Sequence, residues 1–127
     1  MNRSAKHVLD ATAVLALILD EPGSARLQEL VPDGVVGAVN VAEVLAKLVG
    51  KGMHRPEAIA AFDALHLEMV GFDPSEARLS VSYVRKNVSL GDRCFLATAH
   101  TRGTAWTSDR ALASIDSALL PKVELFR

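Results

Sequence analysis

Four carboxylates fall where chemistry would need them. Asp10 follows the β-prone run His7-Val8-Leu9 and interrupts an apolar stretch before Ala11. Glu43 lies in the first turn expected of the helix after a second strand, and Asp92 in the first turn of a helix that precedes a fourth. Asp109 follows that fourth strand. In open parallel sheets, ligands bind outside the carboxyl ends of the strands. Asp10, Glu43 and Asp109 belong to that edge. Asp92 joins them if its helix starts there to feed the next parallel strand. Carboxylates packed together repel one another and push pKa values up. A hard divalent cation such as Mg²⁺ removes that penalty, because it prefers oxygen ligands and takes one or two carboxylates directly. Such a site can activate a water and neutralise charge at a phosphodiester. It needs neither histidine nor cysteine.

Each acid also has a plain structural reading. Asn40-Val41-Ala42-Glu43 resembles a capping box, and Ser89-Leu90-Gly91-Asp92 is a weaker version of the same device. Asp109 reads equally as a helix N-cap. Asp10 is the hardest to explain away, and the joint placement of the four is the stronger argument.

The elements that must carry these residues alternate. Strand-like runs fall at residues 7–9, 35–39, 69–72, 104–107 and 122–126. Helical stretches fall at 12–19, 24–31, 41–49, from Pro56 onward, 73–86, 89–101 and 109–115. Val41, Val44, Leu45, Leu48 and Val49 follow the i, i+3, i+4, i+7, i+8 template. Ile59, Phe62, Leu65 and Met69 make a second apolar face. Asp73-Pro74-Ser75-Glu76 is a helix start with Asp73 as N-cap. Strands alternating with helices predict an α/β fold with a mainly parallel sheet.

The length, 127 residues, suits a single domain over 1–127. Cys94 stands alone, so neither an internal disulfide nor a CxxC zinc site is available. The pI of about 6.4 argues against a bulk electrostatic nucleic-acid binder, which usually exceeds about 9. That balance conceals a division. Of 15 acidic residues four are the candidate acids, so 14 basic residues face 11 others. The longest apolar run, Ala13 to Leu19, is far short of a membrane span. Arg3 and Lys6 before an apolar stretch mimic a signal peptide, but Asp10 interrupts it and Asp20-Glu21-Pro22 stands where a cleavage site should be. A cytoplasmic protein without membrane attachment is expected.

Four motifs then converge on one resemblance: Val8-Leu9-Asp10-Ala11-Thr12-Ala13, Asn40-Val41-Ala42-Glu43, Leu90-Gly91-Asp92-Arg93-Cys94 and Trp106-Thr107-Ser108-Asp109-Arg110. In this order and spacing the chain resembles the PIN-domain family, and within it the VapC-type toxins of bacterial toxin–antitoxin pairs. The resemblance implies a Rossmann-like three-layer α/β/α sandwich and a Mg²⁺- or Mn²⁺-dependent endoribonuclease leaving a 5′-phosphate. It also implies a cognate antitoxin covering the acidic groove, and a homodimer. Carried over position by position, Asp10 and Asp92 match the most direct metal ligands, and Glu43 and Asp109 the remaining acids. Thr12 matches the hydroxyl beside the first acid, touching either that acid or a phosphate. Residues 51–86 carry no family signature.

Other motifs are weaker. Gly50-Lys51 is not a P-loop, since Leu45 and Gly52 stand where Gly and Ser or Thr are needed. Cys94 and His100 are not favourably spaced for nucleophile and base; Cys94 reads as a small packing residue. His7, His54 and His66 form no ligand pattern, and six scattered aromatics form no stacking platform. Trp106 reads as core or groove wall. Lys47 reads as an i, i+4 partner of Glu43. Arg93 and Arg110, each beside an acid, are candidate RNA phosphate contacts or solvated side chains. Two rivals stand beside the nuclease: a non-catalytic PIN-fold scaffold binding RNA or protein, and a phosphoryl-transfer protein. The phosphatase form of the latter wants a second Asp where Thr12 stands.

Overall fold

The computed structural model describes residues 5–127, so Arg3 lies outside the described residues. Five short strands form one sheet: β1 Lys6–Leu9, β2 Gly34–Gly37, β3 Glu68–Val70, β4 Gly103–Thr107 and β5 Val123–Leu125. Their order is β3-β2-β1-β4-β5, and every neighbouring pair is parallel. The chain moves outward from β1 through β2 to β3, then returns to the other side of β1. The direction of winding therefore reverses between β1 and β4, the switch point where open α/β sheets bind ligands.

The helices are α1 Ala11–Leu19, α2 Ser24–Leu30, α3 Ala38–Gly50, α4 Arg55–Asp63, α5 Pro74–Ser80, α6 Leu90–His100 and α7 Arg110–Ala113. Alternation along the strands splits the core in two. Leu9, Val36 and Trp106 pack with Val14 of α1, Leu27 of α2, Val44 and Leu48 of α3 and Phe62 of α4. The intervening Val8, Val35 and Ala105 pack on the other face with Phe95 and Leu96 of α6 and Leu112 of α7, and Leu79 of α5 packs against this cluster. Strands buried on both faces read as continuous apolar runs rather than alternating ones. The result is the α/β/α sandwich that the motifs imply. Among the described residues no helix is long and apolar enough to cross a membrane.

Several boundaries differ from the sequence reading. The second strand ends at Gly37 rather than 39, and α3 begins at Ala38. Val39 is β-branched and reads as strand, yet tertiary packing places it in the helix. Asn40 is therefore the third helical residue, not a cap, and Glu43 falls in the second turn. The helix from Pro74 stops at Ser80, whose hydroxyl donates back to the Ala77 carbonyl at 2.7 Å. A 3-10 turn, Val81–Tyr83, follows, and the buried Tyr83 donates its hydroxyl hydrogen to the Leu119 carbonyl. Met69 leaves the helical face predicted for it: α4 ends at Asp63, and Met69 is a strand residue, 52% exposed. At β5, Phe126 just beyond the strand packs in the core and comes within 2.7 Å of where a Cβ on Gly23 would stand, and the positive φ of 93° there also favours glycine.

One polar contact joins α5 to the end of α6. Glu76 is buried; one of its oxygens accepts from the Asp73 N–H, closing the capping box, and the other pairs with Arg102 at 2.7 Å. Arg102→Ala leaves that carboxylate buried without its cation. A loss of about 2 kcal/mol is expected in urea denaturation, and an unchanged midpoint would show the pair to be idle.

Candidate functional site

Asp10 leaves β1 at the switch point. Its N–H bonds the Trp106 carbonyl of β4, which fixes it to the strand end. Its carboxylate caps α1, with Oδ1 accepting from the Ala13 N–H at 2.9 Å and from the Thr12 hydroxyl at 2.7 Å. Thr12 itself accepts from the Ser108 hydroxyl at 3.3 Å. Its donor is thus spent on Asp10, which favours the acid over a phosphate as its partner. Asp10 is 5% exposed. Burial pushes its carboxyl above the ordinary range; the Thr107 and Thr12 hydroxyls and the Ala13 N–H pull it down, and the Asp92 charge pushes it up again.

Asp92 reaches this acid from the first turn of α6. Ser89 and Asp92 form a true capping box: the Ser89 hydroxyl accepts from the Asp92 N–H, and Asp92 Oδ2 accepts from the Ser89 N–H. The bond holds the Asp92 side chain in one orientation. Glu43 approaches from α3. Its Oε1 accepts from the Asn40 side-chain amide at 2.7 Å, and its carboxylate lies where a Cβ on Gly91 would stand. The expected Glu43–Lys47 pair is not among the ion pairs of the described residues; Glu43 turns to Asn40 instead.

Asp109 sits just beyond β4. Its exposed carboxylate caps α7 through the Ala111 N–H at 2.9 Å, and its own N–H donates to the Thr107 hydroxyl at 3.1 Å. Thr107 is fully buried. It accepts from the Asp109 N–H, and the same hydroxyl stands near enough to Asp10 to pull that carboxyl down, so one side chain neighbours both acids. Sequence reasoning treats Thr107 only as a strand end; the Thr-Ser-Asp string at a parallel strand terminus is the signal that marks it.

The structure thus sets Asp92 near enough for its charge to act on Asp10, places Thr107 beside both Asp10 and Asp109, and packs Glu43 on the turn that carries Asp92. Among the described residues no three acidic, histidine or cysteine side chains gather as the ligands of one ion. Half-buried Arg93 donates to the Val88 carbonyl, whereas Arg110 is exposed. Cys94 is buried, and burial pushes its thiol up, so it packs rather than reacts. Trp106 is core; its indole N–H donates to His7 Nδ1 at 3.0 Å.

A doubly wound parallel sheet with acids at its switch point defines a class of α/β domain, and the comparisons name it. Residues 7–118 match the family model of the PIN domain, and the chain belongs to that family. No curated protein matches the sequence. Solved structures share the fold at low identity. The DNA-bound VapBC of Salmonella typhimurium matches at 18% identity and TM-score 0.75, with 98% of this chain and all of that one covered. VapBC2 of Rickettsia felis, bound to a promoter DNA fragment, matches at 16% and 0.72, covering 94% and 97%. VapC20 of Mycobacterium tuberculosis, a sarcin–ricin loop cleaving toxin, matches at 16% and 0.68, covering 87% and 96%.

The raised Asp10 carboxyl makes a stability prediction. Its folded pKa lies above the ordinary 3.8, so the native state binds the proton more tightly than the unfolded chain. Between those two values its contribution to stability grows as pH falls. In metal-free buffer Asp10→Asn should be at least as stable as wild type at neutral pH, and its advantage should shrink on acidification toward pH 3.8. Denaturant titrations across that window measure it; a variant less stable at pH 7 would contradict the cost assigned to burying the Asp10 charge.

Proposed function

We propose that this chain is a metal-dependent endoribonuclease, the VapC-type toxin of a toxin–antitoxin pair, acting in the cytoplasm. The observation that carries the reading is Asp10, a carboxylate buried at the switch point, destabilised there by its burial and further by the Asp92 charge. A carboxylate buried at this edge with a second acid near enough to act on its charge is costly, and a bound cation offsets that cost. The oxygen-only donor set of Asp10 and Asp92 suits Mg²⁺ or Mn²⁺, which take one or two carboxylates and complete their shell with water. A bound ion supplies charge neutralisation at a phosphodiester and a more acidic water.

The chain's own groups do the rest. Thr12 and Thr107 hold Asp10 in one rotamer. The Ser89 capping box does the same for Asp92, with one oxygen engaged by an N–H and the other free. In this reading Glu43 and Asp109 serve as proton acceptors and as partners of the ion through water. Arg110, exposed next to Asp109, is placed to take an RNA phosphate; Arg93 is the weaker candidate because its guanidinium already bonds a carbonyl. The named activity of the M. tuberculosis relative supports RNA as substrate. The toxin–antitoxin complexes of S. typhimurium and R. felis support an antitoxin partner. Homodimerisation belongs to the same reading.

One observation favours the scaffold alternative: Asp10, Asp92 and Asp109 all cap helices, and no third ligand completes a single-ion cluster among the described residues. Incubation with structured RNA and Mg²⁺, Mn²⁺ or EDTA separates the two. Cleavage with either metal and none in EDTA is expected. Asp10→Asn and Asp92→Asn should each lower kcat by about a hundredfold or more, the usual weight of a preorganised electrostatic group. A wild-type protein inert under every condition, or an Asp10→Asn variant of full activity, sinks the nuclease.

A further inference from the structure

We propose that Asn40 is a positioning residue for the acidic site, a single amide that sets the separation between Glu43 on α3 and Asp92 on α6. The inference rests on the nuclease reading above and adds a residue to its machinery.

Asn40 is an odd choice for its place. It sits inside the first turn of α3 and is 2% exposed. Asparagine is a poor helix former, and a buried amide is costly unless its hydrogen bonds are made. Here they are made to two elements at once. Nδ2 donates to Glu43 Oε1 at 2.7 Å, one turn along the same helix, and to the Gly91 carbonyl at 3.2 Å, 51 residues away in the first turn of α6. A nitrogen with two hydrogens can do both; a hydroxyl cannot.

The two acceptors need a common donor. A carboxylate and a backbone carbonyl side by side repel each other, and N–H groups between them turn that repulsion into attraction. The contact is close because residue 91 is glycine: the Glu43 carboxylate fills the place a Cβ would take. A second tight approach lies at Gly37, where an added Cβ would meet the Thr98 hydroxyl of α6 at 3.1 Å. Helices α3 and α6 are thus pressed together at the sheet edge, and Asn40 is the polar link across them. Gly91 directly precedes Asp92. Whatever holds the Gly91 carbonyl therefore holds the turn that aims Asp92 at Asp10. Glu43 is engaged here by a neutral amide rather than by any cation among the ion pairs of the described residues.

Three variants test this. Asn40→Leu keeps the volume and loses both donors. Asn40→Asp keeps the shape and puts a third acceptor among the other two. Gly91→Ala leaves Asn40 intact and displaces Glu43. Mn²⁺ binding is read by isothermal titration in the absence of RNA, alongside RNA cleavage and thermal melting without metal. Each variant that folds should bind Mn²⁺ about tenfold or more weakly, the cost typical of losing a group that orients a ligand. Loss of kcat at near-constant KM for RNA should accompany it. The double variant Asn40→Leu/Gly91→Ala should bind little worse than either single, because both act on one interlock. Lowered melting temperature with wild-type Mn²⁺ affinity would mean a purely structural amide and overturn the proposal. A measurement on the wild type guards against variants that do not fold: by NMR, both Asn40 Nδ2 protons should exchange slowly with solvent, and exchange at the free-amide rate overturns it too. If wild-type protein neither binds Mn²⁺ nor cleaves RNA, the nuclease reading falls and takes this inference with it. If the wild type does both and the variants match it, only the role of Asn40 falls.

Discussion

The structure turns on one carboxylate held at the end of the central strand. Asp10 ends β1, takes its backbone partner from β4, and caps the helix that follows. It is buried at the place where the winding of the sheet reverses, so desolvation and the nearby Asp92 work against its charge. Everything around it offsets that cost. Thr12 and the Ala13 N–H give it hydrogen bonds, and Thr107, which also accepts from the Asp109 N–H, stands near enough to pull its carboxyl down. The first helix, the β4 turn and the acidic edge thus share one electrostatic problem.

Capping and chemistry are not competing explanations for these acids. A carboxylate has two oxygens and about four lone-pair sites. Asp92 gives one oxygen to the Ser89 N–H, and Asp109 gives one to the Ala111 N–H. Each is thereby locked in one rotamer while acceptor capacity remains. A side chain already fixed by a helix terminus loses little further entropy when it meets a ligand, which is what a preorganised site requires. The local device that makes these residues look ordinary is also what aims them.

Legibility differed between the local and the long-range features. The capping boxes at Asp73 and Ser89 and the parallel alternation of strands and helices could be read directly, since both depend on near neighbours. The start of α3 could not. Val39 has strand propensity, and only the packing of α3 against β2 and α6 draws it into the helix; that shift moved Glu43 from the first to the second turn and turned Asn40 from a cap into an interior donor. The helix after Asp73 was read too long because Tyr83, within the expected helix, is anchored at Leu119, 36 residues further along the chain; the return bond of Ser80 to Ala77 is local and only reinforces the stop. Lys47 has the spacing of a partner for Glu43, but the amide of Asn40 takes that acid instead.

By itself, the amino-acid order determined where the four candidate acids fall, the helices that Asp10, Asp92 and Asp109 help to begin, and a parallel sheet that gathers their backbones at one edge. Those follow from period, turn chemistry and capping, all of which act within a few residues. Tertiary structure alone decided how the acids are related: Asp10 beside the Thr107 that accepts from Asp109, Glu43 joined to the Asp92 turn through Asn40 and the missing side chain of Gly91. Such links arise only when helices and strands distant in sequence are packed to within a hydrogen bond, and no local pattern records that distance.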